Sequence, residues 1–260
     1  MSGKAISLAN VGHHFDSHRP GEPPVTVLRP TTVTVEREQF VALVGPSGCG
    51  KTTILNMVAG LINPSTGSVR LDGNKPRIGD PDVGYLLARD ALLPWRTALR
   101  NVTLPLEVRG VQRRERETRA HKVLANVGLE NYADAYPAQL SHGMRQRVAV
   151  ARTLVAAPTT LLMDEPFSAL DAQTRLSLQQ QFLQLWEQER STVIFVTHDL
   201  TEAILLADRV IVFSARPGEI RADFTVGLER PRSLVDLQGS NRFLELFQRL
   251  WSVFREGVEL

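Results

Sequence analysis

Three short segments combine residue types that do chemistry on phosphates. Gly45-Pro46-Ser47-Gly48-Cys49-Gly50-Lys51-Thr52 fits the phosphate-binding pattern G-x-x-x-x-G-K-[ST], with Thr53 continuing the helix start. In that pattern the glycines let the backbone turn tightly and aim N–H groups inward. A helix N-terminus adds positive potential, Lys51 reaches the β and γ phosphates, and Thr52 offers a hydroxyl to Mg²⁺. Thr160-Leu-Leu-Met-Asp164-Glu165-Pro166 is an apolar run ending in two carboxylates, and ligands of α/β sheets gather at the carboxyl ends of strands. Where a strand ends the backbone turns, so Asp164 can face a metal while Glu165 orients and deprotonates an attacking water. In Thr197-His198-Asp199 the imidazole can donate to a γ phosphate, although a histidine at a strand end is commonly structural.

Elements must hold these groups in place. An apolar strand, Phe40 to Val44, precedes the phosphate loop and a helix follows it. Shorter β segments are expected at Ala5 to Val11 and Thr31 to Val35, with a breaker-rich, exposed loop at Ser17 to Pro24 and frequent breakers from Gly60 to Gly84. Ala120, Val123, Leu124 and Val127 mark one helical face closed by Gly128. Strand, helix and strand then alternate. Leu161 to Met163 leads into a helix carrying Leu178, Phe182, Leu185 and Trp186, then Thr192 to Val196 and Arg209 to Phe213, the signal of a parallel sheet. Pro231 to Leu260 carries an amphipathic helix with Phe243, Phe247, Leu250, Trp251 and Phe254 on one stripe. Leu140 to Arg147 opens a helix that stops before Pro158, capped by Ser141, and so provides a second helix N-terminus suited to an anion.

Composition bounds the partners. Thirty basic against 28 acidic side chains leave +2, too little for a general grip on a phosphate backbone, and nucleic acid is not expected as a partner. The mixed charges of Arg113 to Arg119 read as a self-paired, solvated helix face. One cysteine allows no internal disulfide. No apolar run approaches the roughly 18 residues of a membrane span, and Met1 to Lys4 lead into no signal-peptide core, so any membrane role is expected to come through another chain.

The order of phosphate loop, Leu140-Ser-His-Gly143 element, Leu-Leu-Met-Asp-Glu-Pro, Ser168-Ala-Leu-Asp171 and Thr-His198-Asp resembles the nucleotide-binding subunit of ABC transporters. The resemblance implies an α/β P-loop NTPase core with a mostly parallel sheet, an N-terminal antiparallel part and an inserted helical subdomain at about 90–157. The ATPase domain would cover 1–228 and a helical tail 229–260. It also implies ATP and Mg²⁺ as cofactors, Thr52 and Asp164 as metal ligands, and Lys51, Glu165 and His198 as catalytic groups. Nucleotide contacts would come from Phe15 and the loop from Gly45 to Thr53. In a head-to-tail homodimer Ser141 and Gly143 would close on the γ phosphate of the opposite copy, with Asp171 communicating across the interface. Phe15 is the expected adenine-stacking ring, with His13 and His14 as alternatives.

Two departures from the family stand out. His142 and Met144 occupy positions where the family usually has Gly and Gln, and Ala88 stands where it places a glutamine. A methyl offers neither donor nor acceptor, so slower or less coupled hydrolysis is one expectation, and a dimeric ATP-gated clamp with little hydrolysis is the alternative function. Arg89 or Asp90 could take over part of the relay. Leu92-Leu-Pro-Trp95-Arg-Thr97 and the region of Arg230-Pro-Arg232 are similar to the importers of nitrate, sulfonates, taurine and bicarbonate, with Trp95 either a core residue or an anchor where a membrane subunit docks. The implied role is to energise import of a small anion through a transmembrane permease fed by an extracytoplasmic solute-binding protein. The subunit would sit peripherally at the cytoplasmic face of the inner membrane.

Overall fold

The computed structural model describes residues 4–17, 22–168 and 170–256; residues 18–21 of the loop expected at 17–24, Ala169 of the Ser168 to Asp171 element and 257–260 of the expected tail lie outside them. In chain order the elements are β1 (Lys4–Phe15), β2 (Val25–Glu36), β3 (Phe40–Val44), α1 (Lys51–Val58), β4 (Thr66–Leu71), β5 (Val83–Leu86), α2 (Ala98–Val108), α3 (Arg113–Asn126), α4 (His142–Leu154), β6 (Thr160–Asp164), α5 (Ala172–Glu189), β7 (Thr192–Thr197), α6 (Leu200–Leu206), β8 (Arg209–Phe213), β9 (Ile220–Thr225), α7 (Leu234–Gln238) and α8 (Asn241–Glu256). They fall into two compact units, 1–80 with 192–260, and 81–191.

In the first unit β3 lies between parallel neighbours β7 and β8, and β9 closes the edge antiparallel to β8. All five residues of β3 and all six of β7 are buried, which is why a strand covered on both faces reads as an unbroken apolar run. A separate antiparallel sheet has the order β2-β1-β4. Both β1 and β2 run past the expected limits, and β2 continues through Pro30 because that residue falls between the pairs Val11–Thr31 and His13–Leu28, where the register shifts and the ladder needs no N–H from it. The register of β1 shifts between Leu8 and Val11, where Asn10 takes φ 52°, a bulge invisible to a period-two pattern.

The tail is strapped to this unit through arginines. Arg232 is buried and donates to the carbonyls of Leu205 and Ala207, each at 3.0 Å, and of Leu228 at 2.9 Å. Arg230 reaches the Asp208 carboxylate at 2.8 Å and the Leu206 carbonyl at 2.6 Å. α8 packs on α6 and β8. Only part of its expected stripe is core. Phe243, Leu246 and Leu250 are buried, whereas Phe247, Trp251 and Phe254 continue from Phe243 as a ladder of stacked rings at 6.1 to 6.2 Å along the flank.

In the second unit β5 and β6 pair in parallel, and α2, α3 and α4 pack on one another with α4 against β5. The expected face of α3 holds: Ala120 and Leu124 are buried, and Arg113–Glu117 and Arg119–Glu115 pair along the opposite side. In α5 Leu183 is buried with Leu178, Phe182 and Trp186, while Leu185 is half-buried, so the buried arc keeps its expected centre and extends on the Leu183 side rather than the Leu185 side. α2 was hidden in the sequence by Pro105 near its end. Side chains accept from the first turn at α4 (Ser141 from the Met144 N–H, 3.2 Å) and α5 (Asp171 from the Thr174 N–H, 3.1 Å), and in the first unit at α6 (Asp199 from the Thr201 N–H, 2.8 Å).

Two outcomes follow from these contacts. Arg232→Lys, whose single ammonium cannot span three carbonyls, lowers unfolding free energy by about 2–4 kcal/mol with an unchanged m-value in urea. The backbone N–H and then the hydroxyl of Thr174 hold the Asp171 carboxyl below its ordinary value. A depressed folded pKa means that the cap contributes above the unfolded pKa and is lost as pH falls through the folded one. Stability measured from about pH 6 to about pH 2 therefore falls less steeply in Asp171→Asn, which caps without titrating, than in the wild type.

Candidate functional site

At the end of β3 the chain turns through the phosphate loop. Gly48 and Gly50 take φ of 80° and 96°, a left-handed backbone open to glycine, and Gly50 occupies the cap position of α1 with no side-chain bond and no acid in the first turn. Gly45, Cys49 and Gly50 are buried, Pro46 is half-buried, and Ser47, Gly48 and Thr52 face outward, with Thr53 turned into the core. Lys51 is buried and its Nζ donates to the carbonyls of Gly45 (2.7 Å) and Pro46 (2.8 Å). The ammonium is thus folded across its own loop, solvated by backbone rather than water.

Register brings His198 to the same edge. Val44 pairs with Thr197 in β7, so Gly45 and His198 are the next residues on adjacent parallel strands, both leaving the carboxyl end of the sheet. His198 is exposed, while its neighbours are fixed: the Thr197 hydroxyl donates to Glu202 at 2.6 Å, accepts from the Asp199 N–H at 3.0 Å, and Asp199 caps α6. Phe15 is 47% exposed, so it is no core aromatic. It pairs with Val25 on β2, and Val27 two residues on lies against Gly50. The His13 ring supports it edge-on at 4.5 Å. Burial, then His14, lowers the pKa of His13, leaving a neutral ring beside Phe15.

In the second unit β6 ends at Asp164, and Glu165 takes φ 45°, a left-handed conformation costly for a residue with a side chain. The turn is held. Ser168 donates from both N–H and hydroxyl to the Glu165 carbonyl, at 3.2 and 2.9 Å, and Gln146 of α4 donates from its amide nitrogen to the Pro166 carbonyl at 2.6 Å. Burial, then the charge of Asp164, raises the pKa of Tyr85, so its phenol stays protonated beside that carboxylate. Ser141 is exposed at the start of α4, and a Cβ on Gly143 would come within 2.8 Å of the Thr174 methyl. The start of α4 therefore abuts the first turn of α5, which Asp171 caps. Structure brings Ser141, Gly143 and Asp171 together, and Gln146 links their helix to Glu165.

Ala88 is half-buried two residues beyond β5. The next residues are tied to α4: Arg145 Nε reaches the Asp90 carboxylate at 3.0 Å, and Arg152 donates to the carbonyls of Asp90 (2.7 Å) and Ala91 (2.8 Å). Burial pulls the Arg152 pKa down, opposed by Asp90. Asn101, buried in α2, bonds the N–H and carbonyl of Leu93 and the carbonyls of Arg96 and Thr97, which holds Trp95 out with 71% of its surface exposed. Gln146, Arg152 and Asn101 were not singled out from sequence. Polar residues inside otherwise apolar helical faces were their only signal.

Among the described residues no helix is long and apolar enough to cross a membrane, and no group of three or more His, Cys, Asp or Glu side chains could hold a metal ion. The family model described as ABC transporter matches residues 28–168. The chain is 39% identical to the taurine import ATP-binding protein TauB of Rhizobium johnstonii over 91% of its own length and 92% of that protein. It is 41% identical to the nitrate import ATP-binding protein NrtD of a Synechocystis species (78% and 77%), and 44% identical to the bicarbonate transport ATP-binding protein CmpD of the same organism (87% and 80%). A dimeric structure of the ATP-binding cassette MJ0796, in a post-hydrolysis state with ADP and Pi, superposes with a TM-score of 0.74 at 33% identity, covering 86% of this chain and all of that one. A glycine-cradled lysine at the end of a buried parallel strand, a carboxylate pair ending β6 and a serine-capped helix agree with these matches: the chain belongs to the ABC transporter family, as one of its ATP-hydrolysing ATP-binding cassettes.

Proposed function

We propose that this cassette powers import of a small anion, with a homodimer of the chain at the cytoplasmic face of the membrane, a separate permease and an extracytoplasmic solute-binding protein. The likeness to taurine, nitrate and bicarbonate proteins supports the solute class. Exposed Trp95, held on a loop by Asn101, suits an anchor for the permease. Residues 1–228 are read as the ATPase domain, with 90–157 as its helical subdomain and 229–260 as an appended tail.

The observation that carries the reading is the start of α1, which no side chain caps and where Lys51 lies buried among carbonyls. A triphosphate supplies the acceptors such a helix start lacks, and Lys51 exchanges its carbonyl partners for phosphate oxygens. Phe15 stacks on the base, and Gly45 to Thr53 wrap the phosphates. The oxygen donors Thr52 and Asp164 suit Mg²⁺, which takes one or two protein ligands beside phosphate and water. When bound, Mg²⁺ neutralises charge on the transferring phosphoryl group. Glu165 orients water and accepts its proton, while His198 donates to the γ phosphate. Ser141 and Gly143 close on the nucleotide of the other copy, and Asp171 fixes the helix start beside them. The clamp with little hydrolysis finds no support in these findings.

Purified chain tests this. Wild type turns over ATP, and Glu165→Gln cuts kcat by about 10²-fold or more while ATP binding persists and an ATP-bound dimer accumulates in size-exclusion chromatography. Wild-type protein that binds no ATP, or a Glu165→Gln variant with full turnover, overturns the assignment.

A further inference from the structure

Glu165 sits in a backbone conformation that a side-chain-bearing residue adopts only when its surroundings over-determine it. One hold is local, from Ser168. The other comes from a different element. Gln146 is 2% exposed, and its amide nitrogen lies 2.6 Å from the carbonyl of Pro166, the residue directly after Glu165. Only the nitrogen end of the amide can donate to a carbonyl. Its Oε1 is buried with no hydrogen-bond partner. A buried amide with one unsatisfied end is a poor device for stability alone. It makes sense as a fixture for the group its other end holds.

We propose, resting on the ATPase assignment above, that Gln146 is a positioning residue for Glu165. It touches no reacting atom. Its hydrogen bond fixes the peptide after Glu165, which sets where the carboxylate stands relative to the water it deprotonates. Because Gln146 lies five residues along the helix that Ser141 opens, about 7.5 Å of rigid helix separates the two. A displacement of the Ser141 end is therefore carried to the Glu165 backbone, and closure of Ser141 on a nucleotide and placement of the base become one event.

The test is Gln146→Met in the full-length purified chain, a side chain of similar length without a donor. Removing the unsatisfied oxygen offsets the loss of one hydrogen bond, so the melting temperature stays within about 5 °C. The expected result is a drop in kcat of about tenfold or more with KM for ATP within about twofold. In a Glu165→Gln background the same change causes no further loss, because the base it positions is already gone. Full turnover in a folded Gln146→Met protein overturns the proposal, as does an equal loss in both backgrounds. Should that variant not fold, Gln146→Asn, one methylene too short to reach Pro166, gives the same readings with the same meaning. Absence of turnover in the wild type strikes at the ATPase assignment itself, whereas wild-type turnover beside an unaffected Gln146 variant strikes only at this proposal.

Discussion

Backbone N–H groups at the start of a helix need acceptors, and the arrangement of this protein follows from which helix starts supply their own. Ser141, Asp171 and Asp199 each turn a side-chain oxygen onto the first turn of the helix they open. Gly50 has no side chain to turn, and α1 has no acid in its first turn. That end remains suited to an anion from outside the chain, with partial positive charge from the aligned peptides and a buried ammonium beside it. Lys51 would be costly at that depth without partners, and the Gly45 and Pro46 carbonyls make it tolerable. The same exchangeable contacts hold the lysine where a phosphate would meet it.

Such a helix end is useful only if other groups arrive at the same place, and strand register does this. With Val44 opposite Thr197, the phosphate loop and His198 emerge side by side. A slip of one residue would turn every side chain of a wholly buried strand to the opposite face, and with both faces of β3 packed no alternative register satisfies the core. Phe40 and Phe195, packed edge to face at 5.9 Å, add shape to that constraint. The apolar monotony of β3 and β7 therefore serves placement as much as stability.

Much of this was legible in residue types at fixed spacing. The phosphate loop, the carboxylate pair and the Ser141 cap involve neighbours within a few residues, and β3 and β8 are buried on both faces and so read as apolar runs, so the linear pattern contains them. Where long-range contacts decide, the pattern is silent. β2 runs through Pro30 because its pairing with β1 is irregular there, which a sequence does not say. Leu183 rather than Leu185 faces the core of α5 because neighbouring elements choose the buried arc. Trp95 could be read as core or surface; a buried asparagine eight residues from Leu93 holds it outside. Gln146 lies in the same segment as Ser141, yet its partner Pro166 is twenty residues away and leaves no periodic trace.

The polar groups of α4 show why such contacts are worth burying. Arg145 and Arg152 are seven residues apart, two turns on one face, and both hold the chain at residues 90 and 91. Gln146 lies one residue further round, about 100° away, and holds the turn after Glu165. Two loops that have no sequence proximity are thus fixed to one rigid rod at a set angle. Apolar side chains at these positions would pack as well but would leave each loop free to shift separately, since dispersion contacts have no preferred direction. Hydrogen bonds do have one, and each buried carbonyl left without its donor costs about 1–3 kcal/mol. Movement of either loop must therefore take α4 with it, and the Ser141 end of that helix is exposed where such movement can be read.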